Sequence, residues 1–334
     1  METKRLMWAD ALKGWLIILV VLGHAIQHTL GNAAETNHLW NIIYSFHMPA
    51  FMAISGYLAF RPSKKSDKGS LLSSIIRRFR QLIIPFVLWT LLLLLIKTGL
   101  SVGVIKDYFF YPDKGLWFLW VLFFITVIFI IGGRISEIIK VKQELIILLI
   151  CLLLVGAMIY LELRVLGFQF IAYYYLFYSL GFYLNKYKER VVTKNHYAIS
   201  FLIVIWFVMA CFWQMHELPF FLKNIPLPSS IVQYLYRFIT ASIAVYILVA
   251  VSPRILDKDS ICNKPFVRIG RISLGIYTTH VIILGSIVSI IEDLVISKTL
   301  VIFFSFIGGL FLSWLFVWLL SKWKLTSKLL LGKI

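Results

Sequence analysis

The chain is built from long apolar runs separated by short polar ones. A helix that crosses a bilayer needs roughly 20 mainly apolar residues, because the hydrocarbon core is about 30 Å thick and each residue rises about 1.5 Å. Ten runs approach that length, at about 12–30, 40–60, 82–96, 116–131, 145–161, 168–184, 198–213, 231–251, 272–291 and 300–320. The pattern predicts an all-α, polytopic membrane bundle of about ten transmembrane helices. The polar stretches between the runs are too short to form a second domain, and no internal repeat or low-complexity linker divides the chain. Residues 1–334 therefore read as a single membrane domain. The stretch from Arg61 to Arg80, containing Ser-Lys-Lys-Ser-Asp-Lys-Gly-Ser, is expected to be its most flexible part.

Composition sharpens this reading. Sixty per cent of the 334 residues are hydrophobic and only 14% are charged, and the mean hydropathy is +0.89. A soluble domain is about half apolar and about a quarter charged, so soluble, disulfide-scaffold, collagen-like and disordered classes are excluded. Thirty-three Lys and Arg against 15 Asp and Glu give a formal charge of +18. With the N-terminus inside, 25 of the 33 basic residues fall on the inner side. Only Lys97, Lys106, Lys114, Arg164, Lys223 and Lys298 fall outside. This is the positive-inside pattern, with both termini cytoplasmic in a multi-pass protein of the cell membrane. The charge is accounted for by topology and anionic lipid, so no nucleic-acid partner is expected. The first run follows Lys4 and Arg5 but exceeds the usual apolar length of a secretory leader and contains His24, so it is expected to be retained as a span. Cys151, Cys211 and Cys262 form no CxxC pair and imply no disulfide framework.

An ionisable side chain at membrane depth is costly and marks a site facing the bundle interior. Lys13 and His24 are eleven residues apart, an offset of about 20° on one helical stripe and about 16 Å along the axis. Lys13 thus lies at the cytoplasmic mouth and His24 near the bilayer centre, with Asp10 and His28 close to the same stripe. His47, His280 and Arg237 fall at comparable depth in other spans. Together they argue for a polar cavity near mid-membrane. Other readings stand beside it: His47 and His280 as packed core residues, Lys13 as a snorkelling anchor, and Arg237 as a partner for backbone carbonyls. His24 and His28 have metal-ligand spacing but lack a third ligand, so no metal is expected.

Histidine suits general-base work near neutral pH. No G-x-S-x-G, P-loop or G-x-G-x-x-G is present. A transporter or flippase for a small polar solute could use the same His/Arg cluster, although no carboxylate lies mid-span and no repeat halves are visible. A membrane sensor or scaffold is a third reading.

Several segments carry a resemblance. Asp10-Ala-Leu-Lys13, running on to Gly23-His24, resembles the opening of the acyltransferase 3 family of integral membrane acyltransferases: a basic residue, ten residues, then a histidine. Lys13 stands where much of that family has Arg, so the charge is kept but the bidentate geometry is not. Phe46-His-Met-Pro49, continuing to Ser55-Gly56-Tyr57, resembles the following helix in the branch that includes fucose 4-O-acetylase-type enzymes. Arg77-Arg-Phe-Arg80 with Pro85, Leu116-Trp-Phe-Leu119 and Gly275-Ile-Tyr-Thr-Thr-His280 follow in the family's order. The resemblance implies transfer of an acyl group, usually acetyl from acetyl-CoA, to a hydroxyl of a cell-envelope or exported carbohydrate. It implies His24 as general base, with His47 orienting the base or the acceptor. Lys13, Arg77, Arg78 and Arg80 would hold the CoA phosphates on the cytoplasmic side. Ser55, Arg237 and His280 are candidates for oxyanion or acceptor contacts.

Overall fold

The structure is a computed structural model, and it describes residues 6–60, 71–97, 99, 101–161, 165–193, 195–257, 261–294 and 297–333. Among them the fold is all-α. The helices are α1 (Met7–Leu30), α2 (His38–Tyr44), α3 (His47–Ala59), α4 (Leu71–Lys97) and α5 (Val102–Phe110), then α6 (Trp117–Ile139), α7 (Gln143–Leu161) and α8 (Phe168–Lys186). They continue with α9 (Lys188–Val191), α10 (His196–Cys211), α11 (Ser229–Leu256), α12 (Lys264–Arg271), α13 (Ser273–Ile291), α14 (Lys298–Leu320) and α15 (Lys324–Leu330). Nine helical segments among the described residues are long and apolar enough to cross a membrane. The protein is therefore a multi-pass membrane protein. The run expected at 198–213 forms the shorter α10, whose 16 residues span about 24 Å, less than the hydrocarbon core.

Three local features depart from the hydropathy pattern for physical reasons. The run at 40–60 is one segment by hydropathy but breaks at Ser45-Phe46 into α2 and α3. Pro49 has no N–H to give the Ser45 carbonyl, so the helical ladder is lost at that point. Next, α4 begins at Leu71, well before the apolar run at 82, because its charged first turns continue the same helix. Of the stretch expected to be flexible, residues 61–70 lie outside the described residues and 71–80 are helical. Finally, the basic segment between α11 and α13 is not plain loop but the amphipathic α12, in which Val267 and Gly270 are buried while Lys264, Arg268 and Arg271 are exposed.

The chain divides into two compact units, Met1–Leu58 with Leu180–Phe316, and Ala59–Ser179 with Val317–Ile334. In the first, α1 is the central helix and packs on α11, α12 and α13. Its fit to α12 is backbone on backbone. A Cβ on Gly14 would lie 2.1 Å from the Phe266 carbonyl oxygen, and one on Gly270 would lie 1.7 Å from the Asp10 carbonyl oxygen. Trp15 stacks on Phe266 beside this contact, with ring centroids 4.0 Å apart. α3 meets the end of α8 equally closely at Gly181 and Ala53, and the Asn185 amide donates to the Tyr57 carbonyl at 2.7 Å. In the second unit α4 packs on α6 and α6 on α7. There α15 docks on α4, where the Trp89 indole donates to the Leu330 carbonyl at 2.9 Å.

Candidate active site

In the first unit α1 and α13 bring two histidines together. The His24 and His280 rings have centroids 5.0 Å apart. His280 is fully buried, and its Nδ1 lies 3.0 Å from the Ile276 carbonyl oxygen one turn earlier. A carbonyl only accepts, so Nδ1 carries the proton and Nε2 presents its lone pair. That Nε2 makes no hydrogen bond within the described residues. An unmet buried acceptor costs on the order of 1–3 kcal/mol, which is the condition of a group arranged for a ligand or proton partner. His28 follows on the next turn of α1, its ring 6.5 Å from His24.

The break between α2 and α3 sets the next residues. His47 opens α3, and its Nδ1 donates to the Ile43 carbonyl at 2.7 Å, which fixes the same tautomer as His280 and leaves Nε2 as the acceptor. The Tyr44 ring lies between the two histidine groups, 4.8 Å from His47 and 6.4 Å from His24. Its hydroxyl is 2.9 Å from Gln27 Oε1 on α1, and Trp40 stacks on its ring at 3.8 Å. Sequence reasoning singled out His24, His47 and His280 but neither Tyr44 nor Gln27. A phenol three residues before a span histidine, and an amide three residues after another, were the available signals.

At the opposite end of α1, Lys13 is not an isolated cation. Its ammonium lies 3.0 Å from the Asp10 carboxylate, which is 4% exposed, and Arg271 of α12 approaches the other Asp10 oxygen at 3.7 Å. Arg271 is one of the 25 basic residues that the charge pattern places on the inner side. Here a buried carboxylate ties two basic side chains to the junction of α1 and α12.

The remaining candidates lie elsewhere. Arg237 points a guanidinium nitrogen at the Met215 carbonyl, 3.5 Å away, and sits 5.3 Å from the centre of the Trp213 ring. Trp213 belongs to the same apolar cluster as Trp40 and Tyr44. The Ser55 hydroxyl donates to the Phe51 carbonyl at 2.9 Å, so its one proton is committed within α3. Arg77, Arg78 and Arg80 lie on the first turns of α4 in the second unit. Arg77 and Arg80 are exposed, and Arg78 donates to Gln81 Oε1 at 3.2 Å. Among the described residues no group of three or more His, Cys, Asp or Glu side chains is arranged to hold a metal ion.

A family model described as an acyltransferase domain matches residues 6–318. The chain belongs to this acyltransferase family. Two curated relatives of the acyltransferase chain are nodulation proteins NolL. The one from Sinorhizobium fredii is 31% identical over 218 residues, covering 60% of this chain and 55% of its own length. The one from Mesorhizobium japonicum is 33% identical over 131 residues, covering 34% of this chain and 32% of its own. The chain thus spans about half the length, or less, of these relatives. No solved structure matches it.

Proposed function

We propose that the chain is an O-acyltransferase of the cell membrane, with both termini cytoplasmic, which moves an acetyl or related acyl group from acyl-CoA to a hydroxyl of a cell-envelope or exported carbohydrate. The observation that carries the reading is the His24–His280 pair, two imidazoles in ring contact in an acyltransferase-family chain, one with a buried unpaired Nε2.

In the proposed reaction His24 takes the proton from the acceptor hydroxyl as its oxygen attacks the thioester carbonyl. The tetrahedral oxyanion collapses, the carbon–sulfur bond breaks, and the imidazolium returns the proton to the CoA thiolate. His280 Nε2, unpaired at rest beside the His24 ring, is the acceptor that would take a hydrogen bond from one His24 nitrogen as the imidazolium forms, leaving the other nitrogen as the base. His47 and Tyr44 fix the ring set from the other side. Lys13 and Arg271 hold donor phosphates at the cytoplasmic mouth, and Asp10 keeps the two cations in place until the polyanion arrives.

The test is release of free thiol from acetyl-CoA by the purified chain in detergent, with and without glycans extracted from cell envelopes. Acceptor-dependent release that disappears in His24→Ala is the expected result. No release with any acyl-CoA or acceptor from a folded preparation would overturn the reading in favour of solute transport.

A further inference from the structure

The second unit contains a cavity that the acyl-transfer chemistry does not use. It lies where the connection between α5 and α6 meets the turn before α8, encloses about 400 Å³, and is lined by Tyr111, Asp113, Lys114, Gly167, Gln169 and Phe170. That volume falls within the range of small-molecule sites, roughly 300–1,000 Å³.

Its wall is held in an unusual backbone conformation. Leu166 and Gly167 have φ of 55° and 68°, two consecutive residues in the left-handed region, and Leu166 is not a glycine. The Trp120 indole donates to the Leu166 carbonyl at 2.9 Å, and a Cβ on Gly167 would lie 3.1 Å from the Pro112 ring. Such backbone persists only where the surroundings fix it, and it concentrates at ligand sites. Behind the cavity Trp117 stacks on both Phe170 and Tyr174, with centroids 5.0 Å away in each case.

The polar groups select the ligand. Lys114 is engaged by Asp107 at 2.5 Å, and this hydrogen bond holds its ammonium above the ordinary lysine pKa. With that charge neutralised, the Asp113 carboxylate gives the cavity a negative balance that disfavours acidic ligands. Among the described residues neither the Asp113 carboxylate nor the Gln169 amide is committed to a hydrogen bond. A carboxylate and an amide can accept from and donate to neighbouring hydroxyls, while the aromatic lining comes from Phe170, stacked on Trp117, and from Tyr111, whose ring lies 5.3 Å from the Lys114 ammonium. A sugar ring presents that combination: a C–H face and adjacent hydroxyls.

We propose that the cavity bounded by Tyr111, Asp113, Gly167, Gln169 and Phe170 binds a neutral pyranose ring and so retains a carbohydrate apart from the reacting histidines. Its biological use rests on the carbohydrate-acceptor reading above, whereas the binding itself does not.

The experiment is saturation-transfer NMR of methyl glucoside, methyl galactoside and methyl mannoside at millimolar concentration with the full chain in detergent, with sodium glucuronate as the acidic counterpart. At least one methyl pyranoside is expected to bind, glucuronate is not, and the D113N/Q169A double variant should weaken binding about tenfold. Absence of binding by folded wild-type protein, unchanged binding by the double variant, or equal binding of glucuronate would each overturn the proposal. His24→Ala provides the separation: it should keep pyranoside binding while losing thiol release. Sugar binding without transfer in the wild type would sink the enzyme reading alone, and transfer without sugar binding would sink this one alone.

Discussion

The Lys13 ammonium lies 3.0 Å from the carboxylate of Asp10, one turn earlier on α1. The pair is unequal: the Asp10 side chain is 4% exposed and that of Lys13 24%. A buried carboxylate stripped of a partner is destabilising, but Arg271 remains beside Asp10 at 3.7 Å. Loss of Lys13 should therefore leave the fold standing and act on the donor. Lys13→Ala is expected to raise the apparent KM for acetyl-CoA about tenfold, close to 1.4 kcal/mol, with a smaller change in kcat. Lys13→Arg keeps the charge and the ion pair and should stay within about threefold of wild type. Initial rates of thiol release over a range of acetyl-CoA concentrations check both.

The same junction sets a stability prediction. Gly14 and Gly270 face backbone atoms of the opposing helix, so an added methyl group has no flexible side chain to displace. Gly14→Ala and Gly270→Ala must push α1 and α12 apart and should each cost about 3 kcal/mol, at or above the upper end of ordinary overpacking. Gly156→Ala in α7 meets nothing within 4 Å and should be neutral or stabilising by up to about 1 kcal/mol. Thermal unfolding in one detergent compares the three. Equal melting of Gly270→Ala and Gly156→Ala would contradict the close approach.

Which features were legible in the sequence follows from the solvent each element meets. Lipid demands long apolar runs, so α1, α6, α7, α11, α13 and α14 stand out by hydropathy alone. The short amphipathic α12 was not legible, because its charges read as loop and its order comes from its close packing on α1, through Gly270, Gly14 and the Trp15–Phe266 stack. The candidate site was partly legible for the same reason. His24, His47 and His280 are conspicuous where carboxylates are absent, and the structure brings His24 against His280. Tyr44, Gln27 and Arg271 were missed because tyrosine, glutamine and loop arginine are common near membrane surfaces. Their roles come from helix pairing, which a linear pattern does not record.

Tyr44 is the most direct test of that added information. Its hydroxyl ties α2 to α1 through Gln27, and its ring touches both His24 and His47. Tyr44→Phe retains the stacking on Trp40 and removes only the hydrogen bond, which is worth about 1 kcal/mol. A fall of a few fold in kcat with little change in KM is expected, together with a small drop in melting temperature. Gln27→Ala should produce the same kinetic change. The double variant should be no worse than either single one, because the two residues share one bond.

The histidine pair gives the last and sharpest prediction. If His24 removes the acceptor proton, His24→Ala should lower kcat by roughly 10²–10⁴, the usual contribution of a positioned base. His280 acts through His24, since its Nδ1 is committed to the Ile276 carbonyl and its Nε2 is the free acceptor. His280→Ala should therefore cost less, about 10-fold to 100-fold. His280→Gln, which can return an acceptor to much the same place, should recover part of the loss. The two effects should not add: His24→Ala/His280→Ala should be about as slow as His24→Ala alone, because a positioning residue has nothing left to position. Single-turnover measurements separate the chemical step from product release. If His280→Ala proved slower than His24→Ala, the roles would be reversed, with the buried His280 Nε2 as the base and His24 as its support.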